Sequence, residues 1–433
     1  MPAAGRSVAG DLAGALLAQR TQVDGGPAVR APSPSAPVIN LAVCCSVARI
    51  CALATGRLRD PAARAVTLGG VIARSRGGAD CGGVVLPAAG WVLEVAVAAV
   101  VFSPDRAGRR SRCRTGLVLG AGGVLGAAWM TGALACLQDR LPCAVGDVDV
   151  IVGTSAGSVL AAALRCHTPF DEMIAWQREQ ATGILSESVA LAARDGPLPP
   201  LPRWRFGSIR LALATLITPH RVPPWVGAKA WLPPGRGQHA ALGSLVSALH
   251  LRHHQRASRG GPSPHWVGGR TWVAAVDYDK GQRVLFGREG APHASLPEAV
   301  IASCSIPGWY EPAIISGRRY IDGGVRSATS LDVIRGTDVS DVYVLAPRAS
   351  TEPDHPLLPY LWWERRRRQV ITYGLLRQAE ALRSQGKRVT VLTPGPRDLT
   401  AMGINLMDRR RREAVLELSL RTAADALRKS QTR

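Results

Sequence analysis

Ser155, the glycine-rich loop at 120–126 and Asp322 are the residues of this chain whose types and settings could do chemistry, and that chemistry is acyl transfer. Ser155 stands at the centre of Gly153-Thr154-Ser155-Ala156-Gly157. The apolar run 148–152 before it reads as a buried strand, and the alanine-rich stretch 158–164 after it reads as a helix. The serine therefore falls on a sharp strand-to-helix turn with its hydroxyl above the sheet edge. Gly153 and Gly157 admit the tight backbone and the close approach of a substrate. Upstream, Leu117-Val118-Leu119 runs into Gly120-Ala121-Gly122-Gly123-Val124-Leu125-Gly126, and residues 127–137 then read as a helix. Such a turn aims bare backbone N–H groups, aided by the helix dipole, at whatever binds in front of it. Downstream, Tyr320-Ile321-Asp322-Gly323-Gly324 ends a short apolar run on a carboxylate. A hydroxyl, a set of amide donors and a carboxylate are the parts of an acyl-transfer site.

Two other chemistries share parts of this pattern. A strand, a glycine-rich turn and a helix also suit a dinucleotide, but that reading wants an acidic residue closing the second strand. The next strand closes on Gly153-Thr154-Ser155 instead. An ordinary α/β-hydrolase shares the serine turn but needs a late histidine. After Asp322 only His355 remains, in the proline-bracketed Glu352-Pro353-Asp354-His355-Pro356, which reads as a solvent-exposed loop. Taken alone, Asp322-Gly323 is a common hairpin turn; beside Ser155, a catalytic carboxylate is the better reading.

The order glycine loop, G-x-S-x-G, D-G-G resembles the patatin-like phospholipases. The similarity covers 115–137, 147–164 and 272–325, the last including Ala302-Ser303-Cys304-Ser305-Ile306-Pro307-Gly308 ahead of Asp322. The resemblance implies a Ser–Asp dyad without histidine, Ser155 as nucleophile and Asp322 as base. It implies an oxyanion hole of backbone N–H groups from Gly122, Gly123 and Val124, with Gly153 and Gly157 shaping the nucleophile elbow. The family loop commonly carries an arginine before its last glycine, where this chain has Leu125. The expected activity is hydrolysis of carboxylic esters in phospholipids or other lipids, with no cofactor and no metal. Transfer of the acyl group to another acceptor, or a silent lipid-binding scaffold, are the alternatives.

The elements that must position these parts alternate strand and helix. Strands are expected at 272–278, 283–286, 341–346 and 388–392, and helices at 208–217, 296–304, 360–384 and 410–429. That alternation predicts a three-layer α/β/α sandwich around a mostly parallel central sheet. Residues 113–433 are expected to form the acyl hydrolase domain, with 196–269 a Pro- and Trp-rich insertion or lid and 347–433 a mainly helical C-terminal part. Residues 1–112 show no period and are expected to be a low-information extension, disordered, membrane-associating or the product of a start placed too early.

A net charge of +21 is extreme, and arginine supplies nearly all of it. Together with the Ala, Gly and Pro load it suits a GC-rich genome, and it also suits peripheral contact with an anionic membrane surface. The runs 365–368 and 409–412 are expected on solvated helix faces. No nucleic-acid reader motif accompanies the charge, so no nucleic acid is expected as partner. Nine scattered cysteines without metal spacing suit a reducing cytoplasm. The sequence does not specify an oligomeric state.

Overall fold

The structure, a computed structural model, describes residues 114–180, 186, 202, 206–257, 265–352, 354 and 359–431, together with strands at 84–88 and 91–95. The chain divides into two units, Met1–Phe102 and Ser103–Arg433. In the first, β1 (Val84–Ala88) pairs antiparallel with β2 (Trp91–Val95); the expectation for the rest of 1–112 lies outside the described residues.

The second unit is built on one mixed sheet. Its strands are β3 (Thr115–Leu119), β4 (Val150–Thr154), β5 (Arg270–Asp277), β6 (Arg283–Phe286), β7 (Ala313–Ile315), β8 (Arg318–Asp322), β9 (Asp341–Leu345) and β10 (Arg388–Leu392). They lie in the order β10-β9-β3-β4-β5-β8-β7, with β6 pairing on β5. The run from β10 to β5 is parallel, and β6, β7 and β8 are antiparallel additions. Alternate residues of the apolar strands enter two cores, as the two-residue period of a strand requires. Leu117, Leu119 and Ile151 pack against helices α1 (Gly123–Gln138), α2 (Ala156–Arg165), α6 (Ala240–Ala257), α7 (Leu296–Cys304) and α10 (Arg412–Gln431). Val118, Val150 and Val152 pack on the opposite face against Leu375, Ala379 and Leu382 of α8 (Pro359–Arg383). The fold is thus a mostly parallel sheet flanked by helices.

At the glycine motifs, boundaries move from where the sequence pattern puts them. The strand before Ser155 starts at Val150, because a 3-10 turn at Val145–Asp147 occupies the approach, and it runs on to Thr154. Helix α1 starts at Gly123 rather than Ala127, so the glycine loop is itself the first helical turn. First-turn N–H groups need no intrahelical partner, which leaves glycine little to lose there.

Segment 209–257 divides its packing. The second half, α6, puts Leu245, Val246 and Leu249 into the main core. The first half holds α4 (Ile209–Ile217) and α5 (Pro224–Gly227) over a small cluster of Leu211, Val222, Val226, Tyr278 and Ile321. The outward face of α4 is apolar: Ile209, Leu213, Leu216 and Ile217 are exposed, Leu216 by 79%. Trp225 and Trp231 are exposed as well, not packed beneath loops. Among the described residues, no helix is long and apolar enough to cross a membrane.

The arginine runs are not uniformly solvated. Arg365 and Arg368 are buried at 7% and 4% exposure, paired to Asp354 and Glu364, while Arg366 and Arg367 stay exposed. Arg412 is buried over the Trp176 ring at 4.3 Å. Helical spacing turns Arg365 and Arg368, three apart, to one inward face, and Arg412 inward at the end of its run, where ion pairs and a ring face compensate the lost water. Of the cysteines among the described residues, Cys143 is disulfide-bonded, against the expectation of reduced thiols, and Cys136, Cys166 and Cys304 are free.

Candidate active site

The register of four strands brings the three motifs to one place. Thr154, last in β4, pairs with Ala274 of β5, and β5 then continues to Asp277. Strand β8 runs back along that overhang and ends at Asp322 opposite Ala275. Ser155 and Asp322 therefore leave their strands at the same level, on either side of β5. Leu119, last in β3, pairs with Gly153, so the glycine loop leaves on the other flank of Ser155.

Ser155 holds φ 52° and ψ −123°, a region that a residue with a Cβ rarely adopts. Surrounding hydrogen bonds over-determine it, as such strain requires. The Ser155 N–H donates to Ser303 Oγ at 2.8 Å, and Ser303 Oγ donates to the Ala274 carbonyl at 2.6 Å. The Ser155 carbonyl accepts from both the N–H and the hydroxyl of Ser158, each at 2.7 Å. Gly157 meets β3 so closely that an added Cβ would stand 2.1 Å from the Leu119 carbonyl oxygen. Gly157→Ala should therefore cost about 3 kcal/mol or more of stability by forced backbone movement. Gly374→Ala, in the middle of α8 with nothing within 4 Å, should instead stabilise by about 0.5–1 kcal/mol. Urea midpoints of the two variants check the contrast.

Asp322 is 6% exposed and Ser155 4%. The Asp322 N–H donates to the Ser305 carbonyl at 2.9 Å, and its Oδ1 accepts from the Gly324 N–H at 2.6 Å. Burial lifts its carboxyl to about 6; a hydrogen bond from the Ser155 side chain, the Gly324 N–H and the charge of Arg348 pull in the opposite direction. Cys304 is the neighbouring rival nucleophile, with its sulfur 3.9 Å from Ser158 Oγ. Burial and the Asp322 charge push its thiol up, so it stays neutral and unreactive.

The glycine loop is anchored at both ends and unpaired in the middle. Gly120 donates to Leu345 at 2.9 Å, Ala121 to Ala328 at 2.7 Å and Leu125 to Leu406 at 2.9 Å. Between them, the N–H groups of Gly122, Gly123 and Val124 donate to no turn or loop carbonyl among the described residues. Gly123 has φ +60°, and a Cβ there would lie 2.9 Å from the Leu406 oxygen. Gly122, Gly123, Ser155 and Asp322 open onto one cavity of about 920 Å³; Val124 is not part of its lining. Trp225 and Leu232 from the segment beyond α4, and Val370 and Tyr373 from α8, form apolar parts of its wall.

Among the described residues, no histidine lines this cavity; His355 lies outside the described residues. Ser303, Ser158, Cys304 and Arg348 join the site without having been singled out for it in the sequence. The polar triplet Ser303-Cys304-Ser305 closing an otherwise apolar helix was the available signal for two of them.

A family model described as patatin-like phospholipase matches residues 117–334, which is half of the chain. No curated protein matches it. Among solved structures, VipD from Legionella pneumophila is similar at 11% identity and a TM-score of 0.33, over 84% of this chain and 73% of that one.

Proposed function

Because the chain belongs to the patatin-like phospholipase family, a family of lipid acyl hydrolases, we propose that it cleaves carboxylic esters of phospholipids or related lipids through an acyl-enzyme on Ser155, with Asp322 as base. The observation that carries this reading is the convergence of Ser155 and the buried carboxylate of Asp322, raised to about 6, on one cavity from either side of β5. A carboxylate of ordinary acidity is a weak base for a serine hydroxyl; burial brings its basicity closer to the task.

In the proposed reaction, Asp322 takes the Ser155 proton as Oγ attacks the ester carbonyl carbon. The negative charge that develops on the carbonyl oxygen faces the free N–H groups of Gly122 and Gly123, which line the cavity, whereas Val124 lies outside its lining. Such donors are worth about 10²–10³ in rate each. The C–O bond to the alcohol breaks, and Asp322 returns the proton to the leaving oxygen. Asp322 then takes a proton from water, which attacks the acyl carbonyl; Ser155 leaves with that proton and a free fatty acid is released. The chemistry is complete in these residues.

The exposed apolar face of α4, with Trp225 in the cavity wall and Trp231 exposed nearby in sequence, supports docking on a lipid surface, and the net charge of +21 supports an anionic one. We place the protein as a peripheral contact on a membrane surface; the disulfide at Cys143 counts against a reducing compartment. The segment carrying α4 and α5 serves as the lid over the cavity, within a hydrolase domain spanning 113–433.

Turnover of a p-nitrophenyl ester series and of phospholipid vesicles by the full chain tests the activity. The expected pH profile follows from the sign of the Asp322 shift. Asp322 must be ionised to accept the proton, so kcat/KM should climb about tenfold per pH unit below about 6 and level off above it. A plateau reached already at pH 4 would contradict a shielded base. A limb near 7 that vanishes on replacing a histidine would return the ordinary α/β-hydrolase.

A further inference from the structure

The cavity wall carries more positive than negative charge. Lys229, Arg326, Arg348, Arg367 and Arg368 line it against the carboxylates of Asp322 and Glu364. Glu364 is committed to Arg365 and Arg368, and Arg368 also donates to the Pro347 carbonyl at 2.7 Å. Arg326 donates to the Arg221 carbonyl at 3.0 Å. Arg348 differs from both. It is half-buried, and burial holds its guanidinium below the ordinary arginine range. Asp322 and Glu364 attract it from a distance, yet among the described residues it has no hydrogen bond or ion pair. A desolvated cation in this state costs free energy that a bound anion would offset.

Its neighbours fix where it stands. Pro347, just before it, fills the space beside the glycine loop, 2.6 Å from where a Cβ on Gly122 would lie. On the other side, Arg348 Nη1 is 3.6 Å from the Cβ position of Gly324, whose N–H holds Asp322. The guanidinium thus lies between the loop with free amides and the base. The glycine loop brings no cation of its own, since Leu125 is 0% exposed in the core.

We propose that Arg348 binds the phosphate of the substrate, so that this site selects phosphate-bearing ester lipids over neutral glycerides. The proposal rests on the Ser155–Asp322 reading, because a glycerophospholipid carries its phosphate a few bonds from the ester being cut. The planar guanidinium fork matches two phosphate oxygens at once. Arg367, exposed on the same wall, adds a weaker, salt-screened attraction.

Calorimetric titration of the full-length Ser155→Ala chain tests it, using soluble dihexanoyl phosphatidate, the neutral dihexanoylglycerol and inorganic phosphate as probes. The phosphatidate should bind about 10- to 100-fold tighter than the neutral lipid, as charge-assisted hydrogen bonds to a desolvated arginine imply. Adding Arg348→Gln should erase that preference, and Arg348→Lys, a charge without the fork, should keep part of it. A preference unchanged in Arg348→Gln overturns the proposal. So does inorganic phosphate binding as tightly as the lipid, which reassigns Arg348 to free phosphate. Turnover by the parent separates the two readings. A parent that cleaves esters while Arg348→Gln keeps the preference leaves the hydrolase and removes the phosphate contact. A parent without turnover whose preference still depends on Arg348 does the reverse.

Discussion

Ser155→Ala should reduce ester turnover by about 10⁴-fold or more while leaving the fold intact. Alanine keeps the Cβ and therefore inherits the strained backbone at φ 52° without adding to it. The hydrogen bonds that hold this turn, from Ser155 N–H to Ser303 and from Ser158 to the Ser155 carbonyl, are all made by the backbone of residue 155. Only Oγ is lost, and with it the covalent route. What remains is substrate binding and the amide donors of the glycine loop, which act on a direct attack by water. Unchanged thermal melting beside lost turnover identifies a chemical role. Turnover that survives would remove Ser155 as nucleophile.

Asp322→Asn should be both nearly inactive and more stable at neutral pH. The amide cannot accept the serine proton, so a loss of about 10³–10⁴ is expected in kcat/KM. The stability effect follows from linkage. The folded-state carboxyl of Asp322, at about 6, lies above its unfolded value, so the folded chain binds the extra proton across that interval. The group's contribution is fully present below about pH 4 and is lost as pH rises through about 6. Above that, an ionised and nearly solvent-free carboxylate weakens the fold by about 3 kcal/mol. Asparagine does not titrate and can still accept from the Gly324 N–H. The variant's advantage in urea unfolding should thus be small at pH 4, grow between pH 4 and 6, and stay level at pH 8. An advantage independent of pH would mean that Asp322 is not held away from water as described.

The parts of the site that were legible in the sequence are those written in local backbone chemistry. Gly153, Ser155 and Gly157 announce a sharp turn within five residues, and the glycine loop announces free amides within seven. The alternation of apolar strands and helices was equally readable, down to α7 at 296–304 and the β5–β6 hairpin. The parts that were not legible act across the chain. Ser303 reaches Ser155 over 148 positions through the β5 register, and Arg348 reaches Asp322 from the loop after β9. Nothing local marks Arg348 as part of the site, and Ser303 is marked only by the polar triplet it opens. The burial of Asp322 is of the same kind, since it pairs with Ala275 of β5 and donates to the Ser305 carbonyl, neither of them a neighbour in sequence. The arginine runs misled for a related reason. Composition counts all eight as surface charge, whereas Arg365, Arg368 and Arg412 find partners that allow them to be buried.

The most direct test of the central claim is covalent. A fluorophosphonate reacts with an activated serine and stays on it, and intact mass with peptide mapping locates the adduct. One label per chain is expected, on the peptide carrying Ser155, abolished in Ser155→Ala and strongly slowed in Asp322→Asn. A label on Ser158, Ser303 or Cys304, or labelling of Ser155 at an undiminished rate without Asp322, would contradict it.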